Sequence, residues 1–213
     1  MPSRRGARDL TALTVLALLR TGPSHPYELH RMITQTHRDF VTGLPRSLYH
    51  AVDRLEKAEF IAPVDTEREG RRPERTVYEL TGEGRRELAA RLRYLLERPD
   101  PDTSVFVAAV SFMGCLPVQE ARYCLQARAA ALEAEIAGGD AHAASLGREL
   151  PRLLLLENEY VGALRRAELA WVRAVVADID SGTLTWPDDI AELARRLPGG
   201  AAHDTEAKGA HDG

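Results

Sequence analysis

The sequence has no run approaching the roughly 18 apolar residues that a membrane-spanning helix requires, and its first ten residues, MPSRRGARDL, lack the apolar stretch of a secretory signal. Both absences point to a cytoplasmic protein. Cysteine is scarce: Cys115 and Cys124 stand nine positions apart with no His cluster nearby. That spacing suggests neither a disulfide framework nor a metal site, and buried apolar thiols are the expected role. His25, His30, His37, His50, His142, His203 and His211 form no HxxxH pair, and no glycine-rich phosphate loop or nucleophile elbow is present. Catalysis finds no support, and no metal or cofactor is expected.

What remains is 213 residues, 44% of them hydrophobic, enough for an ordinary buried core in one large domain or two small ones. The net charge of −4 hides an uneven distribution. Residues 1–98 carry 18 Lys and Arg against 14 Asp and Glu, whereas residues 99–213 carry 10 against 18. A basic first half suits a module that contacts DNA, and an acidic second half would avoid phosphate.

Leu10, Leu13, Leu16, Ala17 and Leu19 predict a first helix that TGPSHP terminates. Pro26 suits the first turn of a second helix capped by Ser24 or His25, with Leu29, Met32, Ile33 and Phe40 on its buried side. Gly43 and Pro45 break the chain before LPRSLYHAVDRLEKAEFI, which predicts a third helix. At about 100° per residue, Leu48, Ala51, Val52, Leu55 and Ala58 share one face of that helix and Arg46, Tyr49, His50, Asp53 and Lys57 the other. FIAPVDTE and RTVYEL then predict a hairpin around REGRRPE, and Thr81 caps a fourth helix through EGRRELAARLRYLLE. Three helices, two strands and a helix are the order of a winged helix-turn-helix, whose third helix commonly enters the major groove.

In such a helix the N-terminal residues reach base edges, which selects Arg46, Ser47, Tyr49 and His50. Asp53 would repel phosphate and is expected to pair with Lys57, its i+4 neighbour. The hairpin carries Arg68, Arg71, Arg72 and Arg75, with Arg71 and Arg72 at its tip as candidate phosphate or minor-groove contacts. Glu67, Glu69 and Glu74 leave it a net charge of only +1 over residues 66–75, so a self-paired, solvated hairpin is the alternative. Arg4, Arg5 and Arg8 read as a disordered N-terminus or a phosphate arm.

RPDPDTS, residues 98–104, reads as a linker, and beyond it the pattern is helical. Val118, Ala121, Leu125, Ala129, Leu132 and Ile136 form one stripe, which Gly138 and Gly139 are expected to interrupt or bend. Leu153, Leu156, Tyr160, Leu164, Ala167, Trp171, Val175 and Ile179 form a second. Too few other elements exist to cover both stripes, so a second copy of the chain is the expected partner, with a monomeric helical hairpin as the alternative. Trp186 is expected to pin the final turn, and the last 16 residues have the composition of a disordered tail.

LTVLALLRTGPSHPYELHRMI, LPRSLYHAVDRLEKAEFI and EGRRPERTVYELTGEGRREL closely resemble the winged-helix domain of PadR-family bacterial transcriptional regulators. ALRRAELAWVRAVV followed by GTLTWP resembles the C-terminal helical domain of the longer members, so the likeness spans roughly residues 9–190. The resemblance implies a homodimer that binds an inverted-repeat operator in double-stranded DNA and usually represses transcription. Carried over by position, Ser47 and Tyr49 open the recognition helix, and Arg71 and Arg72 lie at the wing. This chain departs from the family pattern with Pro26 in HPYEL and with Glu59 where a helix-ending glycine is usual.

These readings give a mostly α (α+β) fold: a winged helix-turn-helix at 1–98, an all-α dimerisation and effector domain of long helices at 99–197, and a disordered tail at 198–213. Some members of the family respond to phenolic or drug-like molecules, and Phe106, Phe112, Met113, Tyr160 and Trp171 are the candidate lining of an effector pocket, with plain core as the alternative for aromatics at helical spacing. The competing reading of the whole chain is an effector-sensing or protein-interaction adaptor that keeps the winged fold without strong DNA binding.

Overall fold

The structure, a computed structural model, describes residues 4–36, 38–67, 75–146 and 150–187. A short turn, α1 (Arg4–Ala7), precedes α2 (Leu10–Leu18), α3 (Pro26–Gln35) and α4 (Arg46–Lys57). Strands β1 (Ile61–Glu67) and β2 (Arg75–Leu80) lead into α5 (Gly82–Glu97), and α6 (Thr103–Ser111), α7 (Val118–Leu146) and α8 (Leu156–Asp180) follow. The first, second, third and fourth helices expected from sequence are α2, α3, α4 and α5.

Capping explains the boundaries. Asp9 accepts from the Ala12 amide at 3.0 Å to open α2. His25 Nδ1 accepts from the Tyr27 amide at 3.1 Å, and Glu28 reaches back to the His25 amide at 3.3 Å, so His25 rather than Ser24 caps α3, with Pro26 in its first turn. Ser24 instead exchanges backbone hydrogen bonds with Tyr78, adding a one-residue rung beside β2. Thr81 accepts from the Gly84 amide at 3.0 Å to open α5.

Four expectations are corrected. The N-terminus is not a free arm, because Ala7 is buried in the core and Arg8 pairs with Asp100 at 3.1 Å. Helix α3 ends at Gln35, so Phe40 reaches the core from a loop, packed edge-on against Phe112. Gly138 and Gly139 do not interrupt α7, which runs to Leu146; ion pairs of Arg165 with Glu135 and Arg166 with Asp140 hold that stretch against α8. Ala58, assigned to the apolar face of α4, is its exposed C-terminal cap.

Helix α2 is the centre of the assembly. Every residue from Ala12 to Leu19 is buried, not only one stripe, because α4, α5 and α6 all pack around it. Thr14 tolerates this by donating to the Leu10 carbonyl at 2.8 Å. The core is continuous from Ala7 through α2, α4 and α5 into α6, α7 and α8. Helices α7 and α8 form an antiparallel pair, crossed by further ion pairs of Arg173 with Glu133 and Arg122 with Asp180. Trp186 donates to the Leu116 carbonyl at 2.8 Å, which fastens the chain after α8 to the turn before α7. The segment after Pro187, including WPDDIAELARRL beyond its first two residues and the last 16 residues, lies outside the described residues.

Helix α4 leaves through Glu59, whose φ of 59° places it in the left-handed region where a Cβ is strained. Its carbonyl accepts from Thr81 Oγ1 at 2.8 Å, which holds the turn in place. Glu59→Gly is expected to raise stability by about 0.5–1 kcal/mol, since relief of strain outweighs the added freedom of the unfolded chain. Thermal unfolding checks this through a rise of about 1–4 °C, and a fall would show that Glu59 makes compensating interactions.

Candidate DNA-binding surface

The outer face of α4 starts from its amphipathic pattern. Leu48, Ala51, Val52 and Leu55 are buried against α2 and α3, which turns Arg46, Tyr49, His50, Asp53 and Lys57 to solvent. Tyr49 is a large aromatic left 46% exposed. Arg46 Nε lies 3.4 Å from His50 Nε2, one turn on, so the two form one polar edge. Pro45 at the N-cap offers no side-chain acceptor, and the first-turn amides are taken by backbone carbonyls instead, Ser47 by Gly43 at 3.1 Å and Leu48 by Pro45 at 3.1 Å.

Ser47 is half-buried, and its hydroxyl donates to the Thr42 carbonyl at 2.7 Å. Its proton is thus committed to the loop between α3 and α4, and toward a ligand the oxygen can only accept. Asp53 makes no ion pair with Lys57, contrary to the i+4 expectation. It lies near Tyr78 at the base of the hairpin, where burial first, and then Glu56 and Asp53, raise the Tyr78 phenol above its ordinary value. Arg54 reaches away from this face and pairs with Asp9 at 2.6 Å, which ties α4 to the cap of α2.

The hairpin pairs Ile61 with Leu80, Ala62 with Glu79 and Pro63 with Tyr78, then shifts register so that Asp65, Thr66 and Glu67 oppose Val77, Thr76 and Arg75. The irregularity falls next to Pro63, which cannot donate to the ladder. Arg68, Arg71 and Arg72 lie outside the described residues.

The five residues expected around an effector do not share one cavity. Phe112 and Met113 are buried in the core, whereas Tyr160 is 66% exposed on α8. Phe106 and Trp171 do meet, edge to face with centroids 5.8 Å apart. An open concavity of about 400 Å³ is lined instead by Thr36, Arg38, Asp39, Phe40, Val107 and Ser111. Burial lowers the Arg38 guanidinium from its ordinary value, and its charge stacks over the Phe112 ring at 4.4 Å. Sequence reading missed this cluster because its members come from the loop after α3 and from α6.

Neither cysteine is an activated nucleophile. Burial pushes the Cys115 thiol up to about 11, and burial followed by Glu97 pushes Cys124 up to about 12. Among the described residues no group of three or more His, Cys, Asp or Glu could hold a metal ion. No described helix is long and apolar enough to cross a membrane.

Three helices, a two-stranded wing and an outward-facing third helix of the trihelical unit define a winged helix-turn-helix, the scaffold of a DNA-binding regulator. Residues 15–90 match the transcriptional regulator PadR-like family. No curated protein matches the sequence. Among solved structures, the chain is similar to Bacillus subtilis PadR in complex with operator DNA, at 20% identity over 84% of this chain and 99% of that one, with a TM-score of 0.39. It is also similar to Bacillus subtilis PadR in complex with p-coumaric acid, at 20% identity over 80% and 99%, with a TM-score of 0.35. The smu.1604c protein from Streptococcus mutans UA159 aligns at 18% identity over 83% and 97%, with a TM-score of 0.36.

Proposed function

We propose that the protein is a homodimeric transcriptional repressor that reads an inverted-repeat operator through the outer face of α4. The observation that carries this reading is the open N-terminal face of α4, where Arg46, Tyr49 and His50 project together from a scaffold whose other side is buried. Arg46 offers a fork to guanine or phosphate, and Tyr49 and His50 offer hydrogen bonds or contact with a thymine methyl. Ser47 contributes as an acceptor, since its hydroxyl proton is engaged by the Thr42 carbonyl and its amide by the Gly43 carbonyl. Arg71 and Arg72 supply phosphate contacts from the wing.

The exposed stripe of α8 supports the dimer. Tyr160, Leu164, Ala167 and Trp171 share one face, and all four are exposed in the single chain, while Leu169, Val172, Val175 and Ile179 face α7 and the core. A stripe of this kind on a soluble helix calls for an apolar partner. Residues 1–98 would then form the DNA-binding half and residues 99–197 the dimerising half, and a two-fold axis would set the two α4 helices about 34–36 Å apart. A small aromatic effector would act where α6 meets the winged half, beside the Phe106 and Trp171 pair.

Binding to DNA from immediately upstream of the protein's own gene, compared with random DNA of equal length, tests the reading. Wild type is expected to prefer the upstream DNA, and Tyr49→Ala to lose about 1–3 kcal/mol on that DNA but little on random DNA. Equal losses on both would remove Tyr49 from base readout. The acidic total charge and near-neutral wing favour one second reading, an adaptor that keeps the winged fold, and absence of selectivity in wild type would establish it.

A further inference from the structure

Arg128 is the bulkiest fully buried side chain among the described residues. It stands on α7 between Leu125 and Leu132, inside the apolar stripe, yet it touches parts of both halves of the chain. Its Nη1 donates to the carbonyls of Arg98 at 2.7 Å, Leu95 at 3.2 Å and Leu96 at 3.5 Å, the orphan acceptors at the end of α5. Its Nε donates to Glu168 Oε1 on α8 at 2.5 Å. Its guanidinium lies 3.6 Å above the centre of the Phe106 ring on α6.

Helix α5 has no basic residue in its last turn. Arg98, which follows it, turns back over the Tyr94 ring at 4.7 Å rather than capping the carbonyls with its side chain. The cap is therefore supplied by α7. Hydrophobic contacts between α5 and α7 are non-directional and permit small rotations, whereas donors forked onto carbonyls fix an angle. One guanidinium nitrogen, Nη2, has no hydrogen-bond partner. For packing alone, an apolar side chain of this size would cost less to bury.

We propose that Arg128 is the positioning residue that fixes α5, and with it the winged half, at one angle to the α7–α8 pair, and so determines the half-site spacing that the dimer accepts. The second clause rests on the reading of the protein as a dimeric DNA-binding regulator; the first does not. The lever is long enough to matter. Helix α5 has 16 residues, about 24 Å at 1.5 Å each, so a rotation of about 10° at its end displaces the far end by about 4 Å. That exceeds the 3.4 Å rise of one base pair. Glu168 also neighbours the exposed α8 stripe at Ala167 and Trp171, which connects the dimer seam to the same guanidinium.

The test uses the full chain with Arg128→Lys, which keeps the charge but loses the fork, and Glu168→Gln, which keeps the shape but loses the acceptor's charge. Spin labels on exposed positions of the two halves, Glu79→Cys and Ala134→Cys, report the angle without DNA. A narrow distance distribution in wild type is expected to broaden in Arg128→Lys and, to a smaller extent, in Glu168→Gln. Binding is measured in parallel on operators with one base pair added or removed between half-sites. Wild type is expected to lose about tenfold or more per step, since each base pair also turns the half-site by about 34°, and Arg128→Lys to lose less than about threefold.

An unchanged distance distribution in Arg128→Lys overturns the proposal whatever happens on DNA. Equal loss of affinity at every spacing overturns the link to half-site choice and leaves Arg128 a stabilising residue only. A distribution that is narrow in wild type and broadens in Arg128→Lys, in a protein that binds no operator, upholds the angular role and counts against the DNA-binding reading instead. If Arg128→Lys does not unfold cooperatively, Glu168→Gln alone decides, and an unchanged distribution there overturns the proposal.

Discussion

Raising the salt concentration from 50 to 200 mM is expected to weaken binding to the operator by about 10³–10⁵-fold, the range for a protein that neutralises six to ten phosphates. Such a number requires about three to five phosphate contacts per subunit of the proposed dimer. Arg71, Arg72 and Arg46 are the candidates. Arg8 and Arg54 do not count toward it, because each is engaged by an aspartate within the chain. Replacing Arg71 and Arg72 together by Ala removes up to four phosphate contacts per dimer, so the slope of log affinity against log salt should flatten by about 3–4. The loss should be similar on operator and on random DNA, since phosphate contacts position the protein without reading sequence. Titrations at four salt concentrations provide the slope. An unchanged slope in the double variant would remove the wing from the interface and leave α4 to carry binding alone.

Gly84→Ala is expected to destabilise the fold by about 3 kcal/mol or more, in the range reserved for overpacking against backbone. A Cβ at Gly84 would lie 2.0 Å from the Phe60 carbonyl oxygen, 2.9 Å from its carbon and 2.8 Å from Leu80 Cδ1. The Phe60 carbonyl has little freedom to retreat. It accepts from the Thr81 amide at 3.1 Å and from Thr81 Oγ1 at 3.0 Å, and Thr81 in turn caps α5 through the Gly84 amide. Here the exit of α4, the two ends of the hairpin and the start of α5 are locked together, so a displaced α5 would shift the wing relative to the recognition face. Gly82→Ala in the same first turn is the control, because its nearest contact is the end of a flexible arginine at 3.9 Å. Thermal unfolding should separate the two variants by about 6–12 °C for a chain of this size. A Gly84→Ala melting point within 2 °C of the control would show that the hairpin can give way, contrary to its hydrogen bonding.

The winged half was largely legible because its signals are local. The 3.6-residue spacing of Leu48, Ala51, Val52 and Leu55 defines which face of α4 is buried, and thereby which residues can meet DNA. Pro26 and Thr81 mark helix starts through the hydrogen bonds a first turn requires. Glu59 stood out as a residue in a glycine's place, and its left-handed backbone follows from the same geometry. Periodicity served less well in the second half. The stripe from Leu153 to Ile179 mixes two faces: Val175 and Ile179 turn to the core with Leu169 and Val172, whereas Tyr160, Leu164 and Trp171 remain outside.

What the sequence by itself determined was the order of the elements, their caps and the polar face of α4, since each depends on residues within one or two turns of each other. Tertiary structure alone decided which of those polar groups remain free. It engaged the Ser47 hydroxyl with Thr42, held Arg54 on Asp9, drew Arg8 to Asp100, and placed Arg128 under the end of α5. Arg128 escaped the sequence reading because its partners lie 30 to 40 residues away in the chain. Only folding brings those carbonyls and that carboxylate within the 2.5–3.5 Å at which a hydrogen bond forms.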